Sequence, residues 1–323
     1  WNMTIVKYTD MDDVAAECVA TVGFFDGVHR GHRYLIKQVK EEAERLGAEA
    51  VVVTFDRHPR QVLGCDYRPR MLNTLDEKTA LLESTGIDRC VILPFDEAMS
   101  RLSARDFMSG VLRERIGVKI LVTGYDNRFG RNRSEGFDEY VRHGVDIGMD
   151  VVLAKPLILT GVSVSSSVIR SFIEAGEVEM AALCLNSHYS MTGCVVDGEH
   201  VGRGLGFPTA NIEPDDADKI IPATGVYAVW VEMDGEPVRY HAMMNIGFRP
   251  TFGGNRRTLE VHILNFSGDI YGRRISVSFV GRLRTERKFH GAAELAAQLR
   301  EDARLAVGIL EEDVKKQTTD IRL

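Results

Sequence analysis

What most limits how this chain can fold is a change of hydrophobic period near residue 186. Upstream, short β-rich apolar runs alternate with stretches whose apolar residues recur every three to four positions. Strands are expected at 19–23, 50–55, Arg89–Leu93, 119–123 and 150–154, and helices at 31–46, 76–84, 104–116 and Phe137–Ile147. The first helix puts Leu35, Ile36, Val39, Ala43 and Leu46 on one stripe, with Gly47 just past its end. The 50–55 run is almost wholly apolar, as a strand buried on both faces must be. This alternation predicts a parallel sheet wrapped by helices, which binds ligands outside the C-terminal ends of its strands.

Two short helices, Ser166–Ala175 and Val178–Leu185, precede the change. Beyond it the period is two: strands are expected at 190–196, 225–232, 238–246, 258–264 and 274–280. Asp197-Gly198, Asp234-Gly235, Gly253-Gly254-Asn255 and Ser267-Gly268-Asp269 punctuate them. This pattern predicts an antiparallel barrel or sandwich, closed by a helix over 292–308. The domains expected are 1–186 and 187–323.

Composition excludes several classes. With 44% hydrophobic and 27% charged residues in a chain of 323, either half can bury a core of its own. The longest apolar runs, 50–55 and 120–123, fall far short of the ~20 residues a bilayer requires, so no membrane association is expected. Forty basic against 47 acidic residues, a net −7, gives no broad positive field for nucleic acid, although a local phosphate pocket is compatible with it. The five cysteines (Cys18, Cys65, Cys90, Cys184, Cys194) are odd in number and scattered, and residues 1–13 lack a basic start with an apolar core. A reducing, cytoplasmic setting is therefore expected. Nothing in the sequence sets an oligomeric state.

Residues 23–32, Gly-Phe-Phe-Asp-Gly-Val-His-Arg-Gly-His, follow the first strand and open the first helix. Gly23 and Gly31 let the backbone approach a ligand, and the helix start offers free N–H groups to an anion. His29 and His32, three apart, can face one phosphate and steady charge on a phosphorus under attack. Such a segment looks like the signature of the nucleotidylyltransferase superfamily. Three further segments lie where a parallel sheet puts its ligands: 54–59 (Thr-Phe-Asp-Arg-His-Pro), 124–130 (Gly-Tyr-Asp-Asn-Arg-Phe-Gly), and 165–170 (Ser-Ser-Ser-Val-Ile-Arg). In the last, three hydroxyls and Arg170 suit a triphosphate. Each alone reads as a turn or a helix cap; their order together does not.

In the second half, 202–212 (Gly-Arg-Gly-Leu-Gly-Phe-Pro-Thr-Ala-Asn-Ile) is neither a dinucleotide fingerprint, since no helix follows, nor a Walker loop. Thr209 and Asn211, two apart on extended chain, offer oxygen ligands on one side, suiting a magnesium ion that completes its shell with phosphate and water. Leu259, Val261 and Ile263 occupy one face of a strand, leaving Glu260 and His262 on the other. A carboxylate beside a nucleotide can deprotonate an alcohol.

With these motifs, and with 245–252 (Asn-Ile-Gly-Phe-Arg-Pro-Thr-Phe), the chain resembles the prokaryotic bifunctional riboflavin kinase/FMN adenylyltransferases, or FAD synthetases, over essentially its whole length. The resemblance implies an α/β nucleotidylyltransferase-type (Rossmann-like) domain with a parallel sheet, then an antiparallel β-barrel riboflavin kinase domain with a C-terminal helix. It implies two reactions: phosphorylation of riboflavin by ATP to FMN, then transfer of AMP from a second ATP to FMN, giving FAD and pyrophosphate. The cofactor implied is Mg²⁺ with ATP, with flavins as substrate and product. By the same resemblance His29, His32 and Arg170 serve catalysis of adenylyl transfer, and Gly23, Phe24, Gly31, Asp126, Ser165, Ser166 and Ser167 bind its nucleotide. Phe55, His58 and Pro59 lie near its flavin. Glu260 is implied as the kinase base, Gly202, Arg203, Thr209 and Asn211 as nucleotide contacts, Thr209 and Asn211 as Mg²⁺ ligands, and Arg284 and Glu286 as closing over the flavin. Arg57 stands where proline is common, Ser167 where threonine is frequent, and Asn127 where an aromatic is common, which removes a stacking surface but leaves phosphate chemistry intact. The competing readings are an adenylyltransferase with another acceptor and a passive barrel, and a flavin or nucleotide sensor without turnover.

Overall fold

The structure, a computed structural model, describes residues 3–11, 16–58, 69–124, 127–157, 164–197, 204, 206–251 and 254–320. Two compact units divide the chain, Trp1–Ser166 and Ser167–Leu323.

In the first unit, β1 (Thr4–Lys7), β2 (Cys18–Val22), β3 (Glu49–Phe55), β4 (Arg89–Leu93), β5 (Val118–Thr123) and β6 (Asp150–Leu153) form one sheet in the order β1-β4-β3-β2-β5-β6. Every pairing is parallel. Helix α1 (Arg30–Leu46) follows β2, α2 (Leu75–Glu83) precedes β4, and α3 (Glu97–Arg101) follows β4; α4 (Ala104–Asp106) runs on as a wider π-helix over Phe107–Ile116, and α5 (Phe137–Ile147) precedes β6. Alternation along the strands separates two cores. Val19, Ala50 and Val52 pack with Ile36, Val39 and Ala43 of α1 and Leu82 of α2. On the other face Ala20, Val22, Val51 and Val53 pack with Phe107, Met108, Val111, Leu112 and Tyr140. Apolar strands buried on both faces are what a doubly covered parallel sheet requires.

Helices α6 (Ser166–Ala175) and α7 (Val178–Leu185) lead into the second unit. There β7 (Tyr189–Val196), β8 (Ala210–Pro214), β9 (Gly225–Met233), β10 (Arg239–Thr251), β11 (Gly254–Ile263) and β12 (Arg274–Arg284) close a barrel in the order β10-β11-β8-β7-β12-β9. All its pairings are antiparallel, so of the barrel and the sandwich left open by periodicity it is the barrel that forms. A last helix, α8 (Ala292–Asp320), buries Ala306 and Leu310 against Val226, Ala228, Trp230, Met243 and Val280 on the outside of the barrel. Asp313 anchors it, accepting Trp230 Nε1–H at 3.0 Å and Gln317 Nε2–H at 2.8 Å.

The compact units divide ahead of residue 186 because α7 packs on β7 and β12. The tie is Arg282 of β12, whose backbone N–H donates to Glu179 and whose guanidinium donates to Ala175 O. Sequence periodicity also passes over β1, a four-residue edge strand with little burial, and stops α8 well short of Asp320. The stretch expected as one helix over 104–116 keeps its inward residues but widens into the π form, which their spacing does not distinguish.

Candidate active sites

At the end of β2, Gly23 N–H donates to Val53 O, turning the chain across the top of the sheet. The turn then takes an uncommon path: Phe25, Gly27 and Val28 all have positive φ, 55°, 84° and 38°. For a β-branched residue such as Val28 this is a strained conformation of the kind that persists where a loop must present groups to a ligand. His29 is the N-cap of α1, its Nδ1 accepting the His32 backbone N–H at 3.3 Å. The proton of the neutral ring therefore sits on Nε2, available to donate. The imidazoles of His29 and His32 stack with centroids 3.6 Å apart, and a Cβ at position 31 would come within 3.2 Å of the His29 ring, so Gly31 is what admits the pair. Burial pushes His29 down to about 4. His32 is pushed well below its ordinary value by burial, then by the charges of His29 and Lys78. Both are thus neutral donors near pH 7, not cations. His32 Nδ1 is buried without a partner among the described residues, an atom in want of a ligand group.

Two buried residues that sequence reasoning did not single out brace this loop. The Asp26 carboxylate, 3% exposed, accepts the backbone N–H groups of Leu72 and Asn73, and the Asp26 carbonyl accepts Ser166 Oγ–H at 2.9 Å. Just beyond, a reciprocal Thr74–Glu77 cap starts α2. One turn in, Lys78, also 3% exposed, donates to Phe24 O, Thr54 Oγ1 and Phe55 O at 3.2, 3.2 and 2.8 Å. Burial pushes its ammonium down to about 8 against the pull of Asp26 and Asp56. A buried polar residue inside an otherwise helical stripe was the available signal.

Outside the C-terminal ends of the strands lies a cavity of about 560 Å³ walled by Phe24, Phe55, His58, Phe95, Phe107 and Phe129, with Arg128, Arg131 and Arg133 also lining it. Phe24 meets His58, and Phe55 meets Phe95, edge to face. Its size, flat aromatic walls and arginines suit a planar ring system bearing an anionic tail. Asn127 also lines it, donating from Nδ2 to Val22 O at 2.6 Å. Where an aromatic would stack, this chain has a hydrogen bond that fixes the strand end. The structure brings Gly23, Phe24, Phe55 and His58 to this cavity, while His29 and His32 stand outside its lining.

In the barrel, strand register produces the second cluster. Asn245 pairs with Glu260 across β10 and β11, and Glu260 with Asn211 across β11 and β8. Residues directly opposite share a face, so Asn245, Glu260 and Asn211 form one polar row. The row shares its face with Met243, which packs under α8. Next to it, a Cβ on Gly247 would lie 2.8 Å from Glu286 Oε1, so glycine admits that carboxylate. His262 Nδ1–H donates to Pro208 O at 2.7 Å, and its ring meets Phe207 edge to face, pinning the loop that presents Thr209 to β11. Thr209 lines a cavity of about 500 Å³ with Ala210, Val261, Ile263, Phe266 and Tyr271; Asn211 and Glu260 do not. Arg284 is engaged in a buried pair, its guanidinium on Asp302 of α8 at 2.9 Å.

Ser165 and Ser167 flank Ser166 at the start of α6, and Arg170 lies one turn on. Pro59, Asp126, Gly202 and Arg203 lie outside the described residues.

A strained phosphate-type loop on a parallel sheet, joined in one chain to a barrel that aligns a carboxylate with two amides, defines a two-module protein built for phosphoryl chemistry. Comparison with known proteins narrows this. The family model for FAD synthetase matches residues 11–168 and that for riboflavin kinase matches 185–310. The bifunctional riboflavin kinase/FMN adenylyltransferase of Pseudomonas fluorescens is 37% identical over 90% of this chain and 92% of its own. The protein of the same name from Escherichia coli K12 is 36% identical over 88% and 90%. A crystal structure described as a macrolide-efflux protein from Streptococcus pneumoniae superposes with a TM-score of 0.85 at 29% identity, covering 94% of this chain and 99% of its own. Among the described residues no helix is long and apolar enough to cross a membrane. The chain belongs to the bifunctional riboflavin kinase/FMN adenylyltransferase family. It is a two-activity enzyme of flavin synthesis, forming FMN from riboflavin and FAD from FMN.

Proposed function

We propose that the reactions divide at about residue 186, with adenylyl transfer served by 1–186 and riboflavin phosphorylation by 187–323, and that different chemical needs account for the two residue sets. FMN already carries an anionic phosphate oxygen, so its attack on the α-phosphorus of ATP needs no base. What it needs is alignment and donors for charge moving onto pyrophosphate. Neutral His29 and His32 supply those donors, with Ser165, Ser166, Ser167 and Arg170 holding the remaining phosphate oxygens and Gly23, Phe24, Gly31 and Asp126 the nucleotide. The aromatic cavity takes the flavin ring between Phe24, Phe55 and His58, with Pro59 beside it.

Riboflavin instead offers a primary hydroxyl, which must lose a proton as it attacks the γ-phosphorus. Glu260 is the base, held in its row by Asn211 and Asn245, with Gly202 and Arg203 at the nucleotide and Arg284 and Glu286 ordering the flavin side. Thr209 and Asn211 would hold the Mg²⁺ that accompanies ATP. A hydroxyl and an amide, with no cluster of three or more ligating His, Cys, Asp or Glu among the described residues, suit an ion that arrives on ATP and keeps phosphate and water in its shell. When bound it neutralises charge on the phosphates. Cys18, Cys90 and Cys194 carry free thiols, which agrees with the cytoplasmic setting proposed for the protein.

The observation that supports the division best is the cross-strand row of Asn245, Glu260 and Asn211, since only the kinase reaction calls for a carboxylate. Its test is a crossed pair of variants assayed with ATP, Mg²⁺ and either riboflavin or FMN, the flavins being separated by chromatography. Glu260→Gln sharply slows FMN formation and leaves FAD formation from supplied FMN; His29→Ala does the reverse. Loss of both activities in either folded variant sinks the assignment.

A further inference from the structure

The histidine loop and the aromatic cavity are adjacent but distinct, and one side chain is bonded to both. Lys78 uses all three of its N–H groups: on the Phe24 carbonyl, on Thr54 Oγ1 and on the Phe55 carbonyl. Thr54 in turn donates to the Phe24 carbonyl at 3.1 Å. A single ammonium thereby joins the main chain just past β2 to the last residue of β3, and the side chains of those two residues, Phe24 and Phe55, are both walls of the cavity. The same ammonium lies 4.2 Å from the centroid of the Phe24 ring, which fixes the ring as well as its backbone. Asp26 holds the segment leading into α2 against the histidine loop, so the helix bearing Lys78 is itself registered on that loop.

Burying an ammonium costs several kcal/mol before its bonds are counted, and a leucine would fill this helix position at no such cost. Three converging hydrogen bonds account for the charge, since a neutral amine has N–H groups for two acceptors and only the ammonium reaches all three.

We propose that Lys78 is a positioning residue of the adenylyl-transfer site, setting Phe24 and Phe55 as walls of the flavin cavity. This rests on the assignment of adenylyl transfer to the α/β unit. It makes Lys78 a determinant of flavin binding although it lies beneath the cavity and does not line it.

The test uses the full chain and three variants, with FAD formation from supplied FMN as the readout and riboflavin phosphorylation as the internal control for folding. Lys78→Met raises KM for FMN about tenfold, as loss of two or three converging bonds predicts, with KM for ATP changed less than about twofold. Lys78→Arg keeps the charge but not the convergence, since a planar guanidinium cannot direct one nitrogen at three acceptors. Its KM for FMN rises as well. Thr54→Val removes one acceptor without changing shape, raising KM for FMN about threefold.

The proposal is overturned if Lys78→Met leaves KM for FMN within about twofold of the parent. It is overturned equally if KM for both substrates rises together, the sign of general loosening. Should Lys78→Met fail to fold, Lys78→Arg and Thr54→Val decide: unchanged KM for FMN in both sinks it. His29→Ala run in parallel keeps the two failures apart. If that variant makes FAD at the parent rate, the adenylyl-transfer assignment falls whatever Lys78 does.

Discussion

The two candidate sites solve opposite problems with opposite surroundings. On the α/β unit the key side chains are dry: His29 is 6% exposed, its partner ring is stacked on it, and burial keeps both neutral. On the barrel the row of Asn245, Glu260 and Asn211 is half-exposed. An anionic acceptor needs no proton removed, so donors can be buried and made to hold their protons. An alcohol acceptor needs a base, and a base must remain ionised, which burial would prevent. Under the proposed division, solvation would follow the acid–base character of the acceptor in each reaction.

That contrast can be broken most sharply by the crossed variants. Glu260→Gln is expected to cost about a thousandfold in kcat for FMN formation, within the range of general-base catalysis. His29→Ala is expected to cost FAD formation about a hundredfold, the loss of one preorganised donor among several. Equal losses would mean that the two sites do not differ in kind.

Next in size is the hold of α8 on the barrel. Asp302, with 1% of its side chain exposed, accepts from Arg284 at 2.9 Å and from Gln298 at 2.9 Å. Asp302→Ala strands a partly buried guanidinium and is expected to destabilise the barrel unit by about 3 kcal/mol. In a heat-inactivation series, kinase activity is then lost at a lower temperature than adenylyltransferase activity. Simultaneous loss would show that the units do not melt independently.

A comparable effect arises from pH. His29 has a folded value near 4, below its ordinary 6.5, so the unfolded chain binds the proton first as pH falls. Stability of the α/β unit is full above about 6.5 and is lost as pH drops toward 4, by on the order of 3 kcal/mol from this group. Urea unfolding at pH 7 and pH 4.5 measures it, and His29→Asn, which keeps a capping oxygen, flattens the slope. The smallest effect belongs to Asn127. Removing its 2.6 Å bond to Val22 O in Asn127→Ala is expected to raise KM for FMN by a few fold, about 1 kcal/mol, and to leave riboflavin phosphorylation alone.

Much of the frame was legible from residue order. Periodicity located Arg89–Leu93, Phe137–Ile147, Ser166–Ala175 and Val178–Leu185 at their observed bounds, because each buries one clean face or two. It failed on Thr4–Lys7, an edge strand with no buried side to advertise, and on the π turns over Phe107–Ile116. Motif spacing put His29 and His32 together, since both lie on one turn of chain. It could not bring Asn245 to Glu260, because that pairing depends on hairpin register between β10 and β11. Nor could it find Lys78, whose partners lie more than twenty positions away on two other segments.

The sequence by itself determined the two-module order, the parallel and antiparallel characters of the halves, and the local phosphate loop. Those follow from hydrophobic period and from contacts between residues a few positions apart, which chain geometry fixes without help. Only the tertiary structure decided that the strands of the second half close into a barrel, that the histidines are neutral, that Arg284 is committed to Asp302, and that a buried lysine joins loop to cavity. Desolvation, strand register and long-range hydrogen bonding are properties of what surrounds a residue after folding, and no spacing along the chain encodes them.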